Sequence, residues 1–126
     1  PEPLALLVGP GARRLARERW AREEALPELV RLAAEGRSFN AFTLAEEVRG
    51  VLPDDPQLEK LWSDISIPVS FGTAPEGAAV AFKPYERPDA PWTPVGLSPL
   101  EEVRVPFGSL RWRIEKEGFE PRRVSR

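Results

Sequence analysis

The apolar residues of this chain change their spacing once, between Ile65 and Ile67, and that switch points to an α+β architecture. Upstream, Leu26, Leu29, Val30 and Ala33 fall at i, i+3, i+4 and i+7, as do Leu58, Leu61, Trp62 and Ile65. Phe39, Phe42, Ala45 and Val48 repeat every third residue. Each set lies on one face of a helix. Downstream, Ile67, Val69 and Phe71 alternate with other residues, as do Ala78, Val80 and Phe82, then Val103 and Val105, then Leu110, Trp112 and Ile114. Period two is the signature of a strand with one buried face. The predicted organisation is an apolar stub at 1–11, a helical segment at 12–65 and a small antiparallel β-sandwich at 66–126. Only Ser66 separates Ile65 from Ile67, so the helices are expected to pack on the sandwich.

The punctuation agrees. Residues 12–26 predict a helix in which Arg14 and Glu18, then Glu18 and Arg22, pair along one side. Pro27 either starts a new helix or bends a long one. Gly36 is expected to close that helix and Ser38 to cap the next. Pro53-Asp54-Asp55-Pro56 reads as a turn followed by a helix start. In the β half, Ala74-Pro75-Glu76-Gly77, Pro106-Phe107-Gly108 and Glu117-Gly118 read as turns. Lys83 to Pro94 reads as a long proline-rich connection, and 119–124 as an edge strand.

Histidine, cysteine and methionine are all absent. Disulfides, zinc fingers, thiol nucleophiles, Ser-His-Asp triads and histidine ligands are therefore excluded. The acid pairs Glu23-Glu24, Glu46-Glu47, Asp54-Asp55 and Glu101-Glu102 are adjacent in sequence, so their side chains diverge on a helix or strand. No catalytic residue, metal or cofactor is expected, and this stretch reads as a non-enzyme. Residues 1–65 carry nine basic and twelve acidic side chains, and 66–126 nine and eight. That balance gives no reason to expect a nucleic-acid partner. Leu4-Ala5-Leu6-Leu7-Val8 falls far short of a membrane span. Two readings stand for it: the end of a membrane helix, with Arg13, Arg14, Arg17 and Arg19 at the interface, or an apolar end that packs elsewhere. Either way the chain reads as a piece of a longer protein.

Trp20, Trp62 and Trp112 fall on apolar faces and are expected in the core. Tyr85 and Trp92 sit instead among four prolines, in a loop stiffened before any ligand arrives. There they either stack on a sugar or partner or cover the open end of the sandwich. Lys83, Glu86, Arg87 and Asp89 would supply a polar rim. Arg111 and Arg113 project from the strand face opposite Leu110, Trp112 and Ile114. They either read an anion or pair with Glu115, Glu101 or Glu102. The candidate binding residues are thus Tyr85, Arg87, Trp92, Arg111 and Arg113, with a protein or cell-envelope component as partner.

Two resemblances add to this reading. Gly36, Ala41 and Pro53 keep the spacing of a tetratricopeptide repeat, in which the glycine ends one helix, the alanine permits a close crossing and the proline ends the second. This resemblance implies a helical hairpin. Pro75-Glu76-Gly77-Ala78 spells the motif of the PEGA domain, a small bacterial all-β module. Val69-Ser70 before it, Gly96-Leu97-Ser98-Pro99-Leu100, Val105-Pro106-Phe107-Gly108 and Lys116-Glu117-Gly118-Phe119 after it resemble further elements of that family, in order, over residues 67–121. The family has a short turn where this chain has residues 83–95. A helical linker followed by such a module resembles the C-terminal region of bacterial membrane serine/threonine protein kinases. That resemblance implies a non-catalytic, sensory and extracytoplasmic role, or a structural linker that positions a further domain. No kinase motif is present in the 126 residues.

Overall fold

Helices fill residues 10–65 and strands fill 66–125 of the computed structural model, which describes residues 9–125. The chain is α+β and divides after Ile65 into two units. Leu4–Val8, and with it the expected membrane-helix end, lies outside the described residues. Among the described residues, no helix is long and apolar enough to cross a membrane.

The first unit opens with helix α1 (Pro10–Trp20), which passes through a π-helical turn (Ala21–Ala25) into α2 (Leu26–Ala34) without a break. Pro27 neither starts a helix nor ends one. In a regular α-turn its ring would press on the carbonyl of Glu23, and it has no N–H to donate. The backbone is wider just before it, where the Leu26 N–H reaches back five residues to the Ala21 carbonyl. The buried face of α2 carries Leu26, Leu29 and Leu32 and continues from Ala25 in the π-helical turn. This corrects the predicted stripe, because Val30 is 42% exposed.

Gly36 closes α2 in the left-handed conformation, at φ +74°. Its N–H donates to the Ala33 carbonyl at 3.1 Å, and the Arg37 N–H donates to that of Leu32 at 3.0 Å. This is the double bond of a Schellman end, as the sequence predicts. Helix α3 (Ser38–Val51) starts at once, with Arg37 at the cap position and no side-chain cap. Ser38 is thus already inside the helix, contrary to expectation. Ala41, Phe42, Ala45 and Val48 are buried along α3, while Phe39 is half-buried. Helix α4 (Pro56–Ile65) begins at a proline, with an Asp55 carboxylate oxygen accepting the Leu58 N–H at 3.1 Å. The same carboxylate takes Arg22 at 3.2 Å. The expected Glu18–Arg22 pair is replaced by this longer-range one, and Arg14 makes no ion pair among the described residues. Trp20 and Trp62 are half-buried rather than core, and Trp62 stacks on Phe42 with ring centres 4.7 Å apart.

The second unit holds six antiparallel strands in two sheets. β1 (Ser66–Phe71) pairs with β4 (Leu100–Pro106). The other sheet runs β3 (Thr93–Leu97), β2 (Ala79–Pro84), β5 (Leu110–Glu115), β6 (Arg122–Ser125). Val80, Phe82, Leu110 and Trp112 line the buried face of the larger sheet, and the Trp112 ring meets Phe71 of β1 at 4.7 Å. The apolar face of β1 is not fully closed. Ile67, Val69 and Phe71 line an open cleft of about 700 Å³ with Leu110, Trp112 and Val124. The predicted connection 83–94 is shorter than expected, because Thr93–Leu97 is a strand on the edge beside β2. Pro94 has no N–H to offer, and an edge strand with a neighbour on one side only tolerates that.

The Pro75–Ala78 segment leads into β2 with Gly77 at φ +87°. Its glycine N–H donates to the Ser98 carbonyl at 2.8 Å, and the Ser98 N–H returns a bond to the Ala78 carbonyl at 2.8 Å. The Ser98 hydroxyl, 4% exposed as a residue, accepts the Ala78 N–H at 3.0 Å and meets the Thr73 hydroxyl. Ser98→Ala leaves that buried N–H without an acceptor. The expected loss is about 1–3 kcal/mol, read as a lower urea midpoint, and an unchanged midpoint would rule the bond out as a support.

Candidate ligand-binding face

Cross-strand partners share a sheet face, so the register of β2, β5 and β6 decides what stands beside what. Lys83 lies opposite Arg111, and Arg111 opposite Ser125. In the next row of the same face, Ala81 lies opposite Arg113, and Arg113 opposite Arg123. The alternation that turns Phe82 and Trp112 into the core turns these four cations the other way.

The loop between β2 and β3 lays its aromatic residues over this patch. The Lys83 ammonium sits 4.3 Å from the centre of the Trp92 ring, and the Arg113 guanidinium 4.9 Å from it. Lys83 also donates to the Pro88 carbonyl at 2.6 Å, which ties the loop to the sheet. Arg111 stands 4.3 Å from the Tyr85 ring centre and donates from Nε to the Tyr85 carbonyl at 3.0 Å. Each contact is a cation held against an aromatic ring, which fixes the long side chains without neutralising them. Among the described residues, the one ion pair on the patch joins Arg113 to Glu115 at 2.5 Å, along the same strand. The pairing expected for Arg111 with Glu101 or Glu102 is absent, since both acids lie on β4 in the other sheet.

A groove of about 280 Å³ opens beside the rings, lined by Lys83, Pro88, Trp92, Arg111, Arg123 and Ser125 among others. Among the described residues, no carboxylate lines it. Of the five candidate residues, Tyr85, Trp92, Arg111 and Arg113 come together on this patch, and Trp92 and Arg111 also line the groove. Arg87 does not, because it lies in the exposed turn closed by its own N–H to the Pro84 carbonyl at 3.1 Å. Trp92 stands on the Lys83 and Arg113 side of the sheet, opposite the face that carries Phe82 and Trp112. Arg123 was not among the candidates. Its signal is the alternation Arg122-Arg123-Val124-Ser125, which places Arg123 on the Arg113 face once the β5–β6 pairing is known.

The Glu28 carboxyl is held below its ordinary range by the hydrogen bond from the Arg31 guanidinium, and Arg31 is raised by hydrogen bonds to Glu28 and Glu35. All three are exposed along α2 and its end, a solvated ion-pair cluster. Among the described residues, no group of acids is placed to hold a metal ion. On α1, Arg13, Arg14 and Arg17 line a shallow groove with Gly50 and Val51. No protein-family model, curated protein or solved structure matches the chain.

Proposed function

We propose that this chain is a non-catalytic binding module of a larger bacterial protein, and that it binds through the face around Trp92. In this reading residues 66–126 are a PEGA-like β-sandwich, preceded by a tetratricopeptide-like helical hairpin. The parent is then a membrane serine/threonine protein kinase whose envelope-facing sensory region this is. The bonded pairing of Gly77 and Ala78 with Ser98 supports the PEGA likeness, because it joins two motif elements that are distant in sequence. Gly36 at the end of α2 and fully buried Ala41 on α3 support the hairpin.

The observation that carries the binding role is the half-buried Trp92 with Lys83 and Arg113 against its ring, on a face outside the core. Aromatic residues held rigid in this way dominate binding energy where a partner covers them. The test is Trp92→Ala assayed for retention on a bacterial cell-envelope fraction. The expected result is a loss of at least about thirtyfold in binding with the melting temperature nearly unchanged. Undiminished binding would refute this site, and no binding by either protein would favour the structural-linker reading.

A further inference from the structure

The patch contains an arrangement that the fold does not need. Two pairs of like charges stand directly opposite each other on neighbouring strands: Lys83 with Arg111, and Arg113 with Arg123. Such pairs oppose folding, and sheets usually place an acid or a neutral residue in one of the two positions. The protein as a whole carries a net charge of −2, so general basicity does not explain the concentration. Among the described residues, Glu115 alone forms an ion pair with these cations, and it is taken by Arg113. The rings of Tyr85 and Trp92 and the Pro88 carbonyl hold Lys83, Arg111 and Arg113 in place rather than cancelling them.

We infer that the groove between Lys83, Arg111 and Arg123 is a binding site for a phosphate group, with the Ser125 hydroxyl beside it. Three cations and a hydroxyl line a space of about 280 Å³ that no carboxylate of the described residues borders. Guanidinium groups match a tetrahedral oxyanion with paired N–H donors, and an anion placed there offsets the Lys83–Arg111 pair and the Arg123 charge, all of which border the groove. This deepens the binding role proposed above and rests on it for biological meaning, but the site is defined by the cations and not by the partner.

The test uses the full 126-residue chain. Inorganic phosphate and chloride are titrated at equal ionic strength, and a poly(glycerol phosphate) is titrated separately, with heat of binding and melting temperature as readouts. A phosphate-specific rise in melting temperature with saturable heat supports a free-phosphate site. Binding of the poly(glycerol phosphate) alone supports the same site reading phosphate within a polymer. Neither, beyond the effect of chloride, overturns the proposal. Arg123→Gln is expected to weaken the positive titration about tenfold, as loss of one charge-assisted contact should. Arg19→Gln, which removes the same charge from exposed α1, is expected to leave it unchanged. Equal effects of the two variants, or none from Arg123→Gln, would also overturn it. Failure here with Trp92-dependent envelope binding intact would sink the phosphate site and leave the binding role standing.

Discussion

Phe82→Ala is expected to cost about 3–5 kcal/mol, the largest effect of any single substitution argued for here. Phe82 is 2% exposed and lies in the middle of β2, which has strand neighbours on both sides. Its ring meets Trp112 at 5.8 Å, and Trp112 in turn meets Phe71 of the smaller sheet at 4.7 Å. Truncation therefore removes the first of three aromatic rings joined by two contacts and leaves a hole that β2 cannot collapse to fill, since β3 and β5 hold it from both edges. A unit of some sixty residues has little stability in reserve. The expected observation is a collapse of the near-ultraviolet circular dichroism of the aromatic cluster at denaturant concentrations where the unaltered chain is folded. A shift in midpoint equivalent to less than about 1 kcal/mol would mean that the cluster is not the centre of this core.

Leu29→Ala is the counterpart in the helical unit, with an expected cost of about 2–5 kcal/mol. Leu29 is fully buried, and α2 lies against both α3 and α4. Its neighbours on the same face, Ala25 and Leu32, leave no larger side chain on α2 to swing into the space. Val30 is the contrasting control. The sequence pattern groups it with Leu29, but it is 42% exposed, so Val30→Ala should cost well under about 1 kcal/mol. Equal losses for the two variants in urea titrations of the helical far-ultraviolet signal would show that the buried face has been misplaced.

Residues with strong, regular periodicity were the easiest to read. Phe82, Leu110 and Trp112 follow from alternation alone, and Ala41, Phe42, Ala45 and Val48 nearly so. Gly36 was legible because few residues other than glycine end a helix in the left-handed region. Strand β3 was hidden by Pro94 and Gly96, which weaken any strand pattern, and it exists because β2 supplies a template for it. Val30 was misplaced because spacing gives a helical stripe but not which of its edges the neighbouring helices cover: Leu26, Leu29 and Leu32 are buried, and Val30 lies at the open margin. At the candidate site, the aromatic loop residues and the paired arginines of β5 could be picked out one at a time. Arg123 could not, because its place beside Arg113 depends on which strands pair and in what register, and nothing local encodes that.

The widened turn at Ala21–Ala25 amounts to one residue inserted into a helix that otherwise keeps its phase. Each residue of an α-helix advances the side-chain direction by about 100°. Deleting one residue from this turn would restore a regular coil and rotate everything before it by that angle. Arg13, Arg14 and Arg17, which now border Gly50 and Val51, would swing away from α3, and Leu15, at present 64% exposed, would sweep around the axis with them. The insertion thus acts as an angular adjuster: it sets which side of the leading helix meets the rest of its unit, independently of which side α2 buries.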